Sequence, residues 1–164
     1  KAASALIWAL VGILAYVAFR FKHFNFAFAG IIALFHDCLI TLGFMGLTAR
    51  AIDLITITAI LSIAGYSIND TIVIYDRLRE NHKILPKTGF ADLVNLSINQ
   101  TLNRTLMTTF TTLLVVVALL IWGGRILSNF AFALFVGFIA GTYSTIFIVS
   151  PLVLAWSRQA KTSS

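Results

Sequence analysis

Charge is scarce in this sequence. Only 11% of its residues are Asp, Glu, Lys or Arg, against about 25% in a soluble domain, and that shortfall points to a lipid environment. Cysteine occurs once, as Cys38 inside an apolar run, which leaves no disulfide framework and no metal-ligand spacing. Glycine-rich phosphate loops with a lysine, nucleophile elbows and His/Cys/carboxylate clusters are missing too, so nothing supports hydrolytic, nucleotide or metal chemistry. The reading is therefore of a protein that is not an enzyme and has no cofactor; energy for transport must come from an ion gradient or a partner.

What the chain has is apolar length: 59% hydrophobic residues and a mean hydropathy of +0.94 over 164 residues. Five apolar segments are predicted to cross a bilayer as helices, at about 2–19, 26–47, 54–75, 105–122 and 126–156. The expected fold is an all-α membrane protein, a single transmembrane domain over 1–164, with a cytoplasmic connector at 76–104. Within that connector, Pro86 to Gly89 read as a turn, and Leu93, Leu96 and Ile98 fit an amphipathic helix on the membrane surface. Gly123, Gly124 and Arg125 read as a tight turn, and Pro151 is expected to bend the last span.

The net charge of +6 does not signal nucleic acid here, because the basic residues fall between apolar segments, where they set topology. Arg20, Lys22, Arg77, Arg79, Lys83, Lys87, Arg104, Arg158 and Lys161 fall on one side; Lys1, Arg50 and Arg125 fall on the other. The positive-inside rule places the first group in the cytoplasm, with the N-terminus outside and the C-terminus cytoplasmic. The first span does not read as a signal peptide. An odd number of spans starting outside leads to the expectation that a further span and an external segment precede this chain.

The stretch 54–80, LITITAILSIAGYSINDTIVIYDRLRE, carries the candidate chemistry. A carboxylate inside an apolar span costs roughly 2.5–3.5 kcal/mol on insertion scales, which makes Asp70 a functional candidate. Thr58, Ser62, Tyr66, Asn69 and Asp70 recur at helical spacing and are expected to share a face, with Thr71 beside them. In the next span Thr101, Arg104, Thr105, Thr108 and Thr112 do the same. Asp70 lies roughly 8 Å deep at 1.5 Å per residue, at the level of Arg104. The two are expected to pair, unless Arg104 snorkels to the interface.

Asp37 is roughly 16 Å deep by the same rise, close to the bilayer centre, with Thr41 one turn away to bond it. His36 is its neighbour, at about 100° around the helix. Apolar surroundings favour a neutral acid, whereas a guanidinium close by favours the anion. Making or breaking such a pair moves a proton, and one charge crossing 100 mV is worth about 2.3 kcal/mol. The candidate relay is thus Asp70, Arg104 and Asp37, supported by His36, Asn69, Thr71, Tyr66 and Thr108. In the last span Gly137 and Gly141, followed by Ser144, are spaced to let helix backbones approach closely.

GYSINDTIVIYDRLREN (65–81), the His36-Asp37 pair, NQTLNRT (99–105) and GTYSTIFIVSPL (141–152) together resemble the SecF family of protein-export membrane subunits. The resemblance covers nearly the whole chain. It implies the spans numbered two to six of a six-span subunit, in a bundle related to the resistance-nodulation-division transporters. It further implies the bacterial inner membrane, partnership with SecD (fused or separate) and with the Sec channel, and use of the proton-motive force to promote preprotein translocation. In that scheme Asp70 and Arg104 match charged transmembrane positions proposed to carry protons. Two alternatives stand beside it: an assembly subunit whose buried charges serve only to hold the complex together, and a proton antiporter for small solutes.

Overall fold

A computed structural model describes residues 24–162 together with Ser4, Trp8, Val11, Gly12, Ala15, Tyr16, Phe19 and Arg20. Those eight are helical; the remainder of the expected 2–19 span lies outside the described residues. From Phe24 the chain forms α1 (Phe24–Leu47), α2 (Leu54–Ile84), α3 (Phe90–Trp122), α4 (Gly124–Ser144), a π-helical turn (Thr145–Val149) and α5 (Ser150–Thr162). No strand occurs among the described residues. Among the described residues, four helical stretches are long and apolar enough to cross a membrane: Phe26–Leu47, Leu54–Ile84, Phe90–Trp122 and Leu127–Trp156.

Local chemistry sets the ends. After α1 the chain reverses through Ala49 at φ 51°. Ala49 N–H donates to the Gly46 carbonyl and Arg50 N–H to the Met45 carbonyl, the paired bonds of a left-handed C-terminal cap. Asp53 then caps α2: its Oδ1 accepts from Thr56 N–H at 2.8 Å, and the Thr56 hydroxyl closes a reciprocal box. These bonds hold the Asp53 carboxyl below the usual carboxylate range. Arg50 pins the same turn to the start of α4, donating to Ser128 Oγ and Asn129 Oδ1 at 3.1 and 3.0 Å and lying over the Phe132 ring.

The connector expected at 76–104 is almost all helix. α2 runs past Tyr75 to Ile84, and α3 begins at Phe90, fifteen residues before its expected start, leaving a short link at 85–89. The amphipathic stretch is therefore the first part of α3 rather than a separate surface helix. Its apolar side, Leu93 and Val94, packs with Leu78 of α2. Polar bonds hold the two extensions together: Asn81 donates to Ser97 and Gln100, and Arg77 donates to Gln100 while also pairing with Glu80 on its own helix. Helix continues beyond the apolar run because these side chains satisfy one another along it.

α4 is the central helix, packed on α1, α2 and α3. Lipid tails give helices no hydrophobic reason to associate, so close packing of small residues must do it. A Cβ added at Gly137 would lie 2.2 Å from Ile63 Cδ1, and one at Gly141 would lie 3.2 Å from Ser67 Cβ. The spacing of these two glycines thus seats α4 against Ile63 and Ser67, one turn apart on α2. Ala59, Ala131 and Ala133 are buried around this contact.

α3 and α4 meet almost without a loop. Gly123 ends one helix and begins the next, where any Cβ would stand 2.3 Å from the Leu119 carbonyl oxygen; Gly124 has φ +68°. At Gly123 the backbone is ordinary and space is what excludes a side chain, whereas at Gly124 the left-handed conformation favours glycine. Ahead of Pro151, which has no N–H to give, the helix widens into the π turn, and Ser150 Oγ donates to the Thr145 carbonyl.

Candidate functional site

Two acids are buried in the bundle, and their surroundings differ. Asp37 on α1 has no exposed surface. Its Oδ2 accepts hydroxyl bonds from Ser67 of α2 at 2.7 Å and Ser144 of α4 at 2.9 Å. Its Oδ1 lies 3.1 Å from His36 Nδ1. One carboxylate thereby ties three helices, at the place where Gly141 lets α4 approach α2.

Three sequence expectations change here. Thr41 donates to the main-chain carbonyl of Asp37, at 2.8 Å, and not to its carboxylate. His36 and Asp37 do meet, despite their angular separation on the helix. The hydroxyl partners of the carboxylate, Ser67 and Ser144, lie on other helices and were not among the expected site residues. Ser144, three residues after Gly141, is marked in the sequence only as part of a close helix contact, and nothing there marks Ser67.

Asp70 is 3% exposed, yet its Oδ2 is buried with no hydrogen-bond partner. Thr105 Oγ1 is in the same condition. Along the antiparallel pair α2/α3, Tyr66 bonds Thr109 and Asn81 bonds Ser97. That register sets Thr105 at the level of Asp70, so the two unsatisfied groups share one layer. Arg104 acts on Asp70 electrostatically, but among the described residues no ion pair joins them, and Arg104 is exposed. The expected direct pair is thus a longer-range one in this state.

The expected polar faces also divide. On α2, Thr58, Ser62 and Asn69 are exposed, whereas Asp70 and Thr71 are buried and Tyr66 is half-buried. Thr58 and Ser62 satisfy themselves on carbonyls one turn back. On α3, Ser97, Thr101, Thr105 and Thr109 form the buried stripe, while Arg104 and Thr108 face outward. Thr108 donates to the Arg104 and Thr105 carbonyls and not toward Asp70. The outer side of α3 also exposes Leu106, Met107, Phe110, Leu114 and Val115, so beyond Arg104 and Thr108 it offers lipid a largely apolar surface while a hydroxyl stripe faces the bundle.

One turn from Asp70, a run of hydroxyls crosses the bundle. Tyr66 Oη donates to Thr109 Oγ1 at 3.1 Å, Thr109 and Thr142 share a bond of 2.9 Å, and Thr142 also donates to the Phe138 carbonyl. Tyr66 packs on the Phe138 ring. On the other side, Thr71 donates to the Ser67 carbonyl and lies 3.4 Å from the Thr145 hydroxyl in the π turn. Of the expected residues, the structure gathers Asp37 with His36, and places Thr71 near them through Ser67. It leaves Asn69 and Thr108 outside. Among the described residues, no three His, Cys or acidic side chains come together to hold a metal.

A family model, protein export membrane protein SecD/SecF, C-terminal, matches residues 1–159. The chain belongs to that family. A protein translocase subunit SecDF from Thermus thermophilus is 52% identical over 96% of this chain, which spans 22% of that relative. A protein translocase subunit SecF from Rickettsia typhi is 44% identical, again over 96% of this chain, which spans 51% of that relative. A crystal structure described as SecDF, a translocon-associated membrane protein from Thermus thermophilus, superposes with a TM-score of 0.90 at 52% identity. It covers 96% of this chain, which amounts to 22% of that one. The chain therefore spans about half the length of its SecF relatives and corresponds to part of the fused SecDF chain. Membership of the SecD/SecF family assigns it to a protein-export membrane component.

Proposed function

We propose that this chain is the proton-responsive membrane part of a SecF subunit, which uses the proton-motive force to promote preprotein translocation by the Sec machinery. Its partners are then SecD, the translocation channel, the preprotein and membrane lipid. Its place is the bacterial inner membrane, with five spans, the N-terminus outside and the C-terminus cytoplasmic.

The observation that carries this reading is the state of Asp70. It is buried in an apolar span, with one oxygen that no protein group satisfies and a guanidinium within electrostatic reach. A buried, unbonded carboxylate is costly, and no donor holds this one in a single protonation state. Such a group takes up or gives back a proton whenever Arg104 or Thr105 moves relative to it. The hydroxyl run Tyr66–Thr109–Thr142 supplies groups that can each accept one proton bond and donate another.

Asp37 with His36 is the second station. Protonating Asp37 removes one acceptor site from a carboxylate that ties α1, α2 and α4 together, so the proton would loosen the helices at that point. One proton crossing 100 mV biases a two-state equilibrium by about fiftyfold. That coupling is the physical content of the proposal.

Asp70→Asn, introduced into the full-length protein, tests it. The expected result is loss of proton-dependent stimulation of export in inverted membrane vesicles, with insertion and capture of SecD unchanged. Normal stimulation by the variant would remove the relay. Loss of SecD capture would instead favour an assembly role, for which the fully bonded Asp37 cluster is the supporting observation.

A further inference from the structure

At the end of the bundle that carries most of the basic residues, a cleft of about 310 Å³ opens between α1, α2 and α3. Phe26, Tyr75, Leu78 and Phe90 form its apolar walls, and Arg79 and His82 stand among its lining residues. Phe26 and Tyr75 meet edge to face, with centroids 4.4 Å apart. It is separate from both aspartate sites, since neither Asp37 nor Asp70 lines it.

The charges around it are unevenly disposed. The nearest acids on α2 are both engaged: Asp76 by Arg20 and Glu80 by Arg77. Arg79, between them in sequence, has no ion-pair partner among the described residues and is exposed. Lys83 lies one turn further on, also exposed. The lip of the cleft is thus cationic while its walls are aliphatic and aromatic. It also lies where α2 passes from its apolar run into its charged extension, the level at which headgroups meet acyl chains.

We propose that this cleft binds one anionic phospholipid, with Arg79 on the phosphate, His82 beside the headgroup and an acyl chain laid along Phe26, Tyr75, Leu78 and Phe90. Basic pockets between membrane helices suit anionic headgroups through charge, and a guanidinium offers a phosphate two parallel donors. A free phosphate would satisfy Arg79 but leave the apolar walls uncovered. The complementarity of both parts selects the lipid. Such a lipid would also brace the α2 and α3 extensions against α1.

The test uses the full-length protein in neutral detergent, with bound lipid counted by native mass spectrometry after addition of phosphatidylglycerol or phosphatidylcholine. Phosphatidylglycerol should be retained in preference to phosphatidylcholine. Arg79→Gln should lower its retention about fivefold, the worth of one basic residue at a lipid surface. Arg79→Lys should retain more than Arg79→Gln, and Lys87→Gln, which removes a cation outside the cleft, should leave retention unchanged. Equal retention of the two lipids, or equal losses in the Arg79 and Lys87 variants, would overturn the proposal in favour of diffuse surface charge. Displacement by millimolar inorganic phosphate would overturn it in favour of a simple anion site.

Discussion

Asp37 and Asp70 are buried to nearly the same degree, at 0% and 3% exposure, but one is bonded on both oxygens and the other leaves an oxygen bare. Burial alone therefore does not define the role of an acid in this bundle. Asp37 is held by hydroxyls from two neighbouring helices, a fastening that, on the proposed reading, a proton loosens. Asp70 faces a threonine that is itself unsatisfied and an arginine that does not reach it. The first arrangement resists change, and the second invites it.

Removing each carboxylate should expose that difference most sharply. Asp37→Ala strands the Ser67 hydroxyl in the interior, while Ser144 keeps its bond to the Gly141 carbonyl, and is expected to cost about 1–3 kcal/mol for the one unsatisfied group. Asp70→Asn leaves a neutral amide where few bonds exist to lose and should cost under about 1 kcal/mol. Denaturation in detergent measures both. Similar losses would erase the distinction between fastening and switch.

The fastening also depends on α4 lying close to α2. Gly137→Ala drives a methyl into Ile63, which is itself 1% exposed, and should cost about 1–3 kcal/mol by overpacking. Gly65→Ala, with open space around the added Cβ, is the control and should not destabilise. A harmless Gly137→Ala would mean that Asp37 reaches its serines without the glycine contact.

The smallest effect is expected at the hydroxyl run beside Asp70. Tyr66→Phe deletes one interhelical bond, worth about 0.6 kcal/mol in membrane proteins. If the run serves proton movement, export stimulation should fall by more than this small change in stability accounts for. An effect on stability alone would confine Tyr66 to packing on Phe138.

Much of this was legible in the sequence because oil punishes charge. The apolar runs, both acids and the close-packing glycines announce themselves by composition and spacing. The division of the polar faces did not. Asn69 and Asp70 are separated by about 100° on a helix, and a single sequence does not say where between them the buried arc ends. Ser67 and Ser144 stayed hidden for another reason: nothing local marks a serine as a partner for an acid 30 or 107 residues away. The helix extensions past Tyr75 and ahead of Thr105 were masked by their charge, which reads as a connector until Asn81, Ser97 and Gln100 are seen to bond across it.

The wide turn at Thr145–Val149 has a geometric consequence for the end of the chain. A turn that holds one residue too many rotates everything after it by about 100° relative to an uninterrupted α-helix. Val153 meets Ala29 and Ala33 of α1 only on that rotated heading. A chain shortened by a single residue there would close into an uninterrupted α-helix and keep that valine on nearly the same heading, whereas tightening the turn with every residue retained would swing it away from α1.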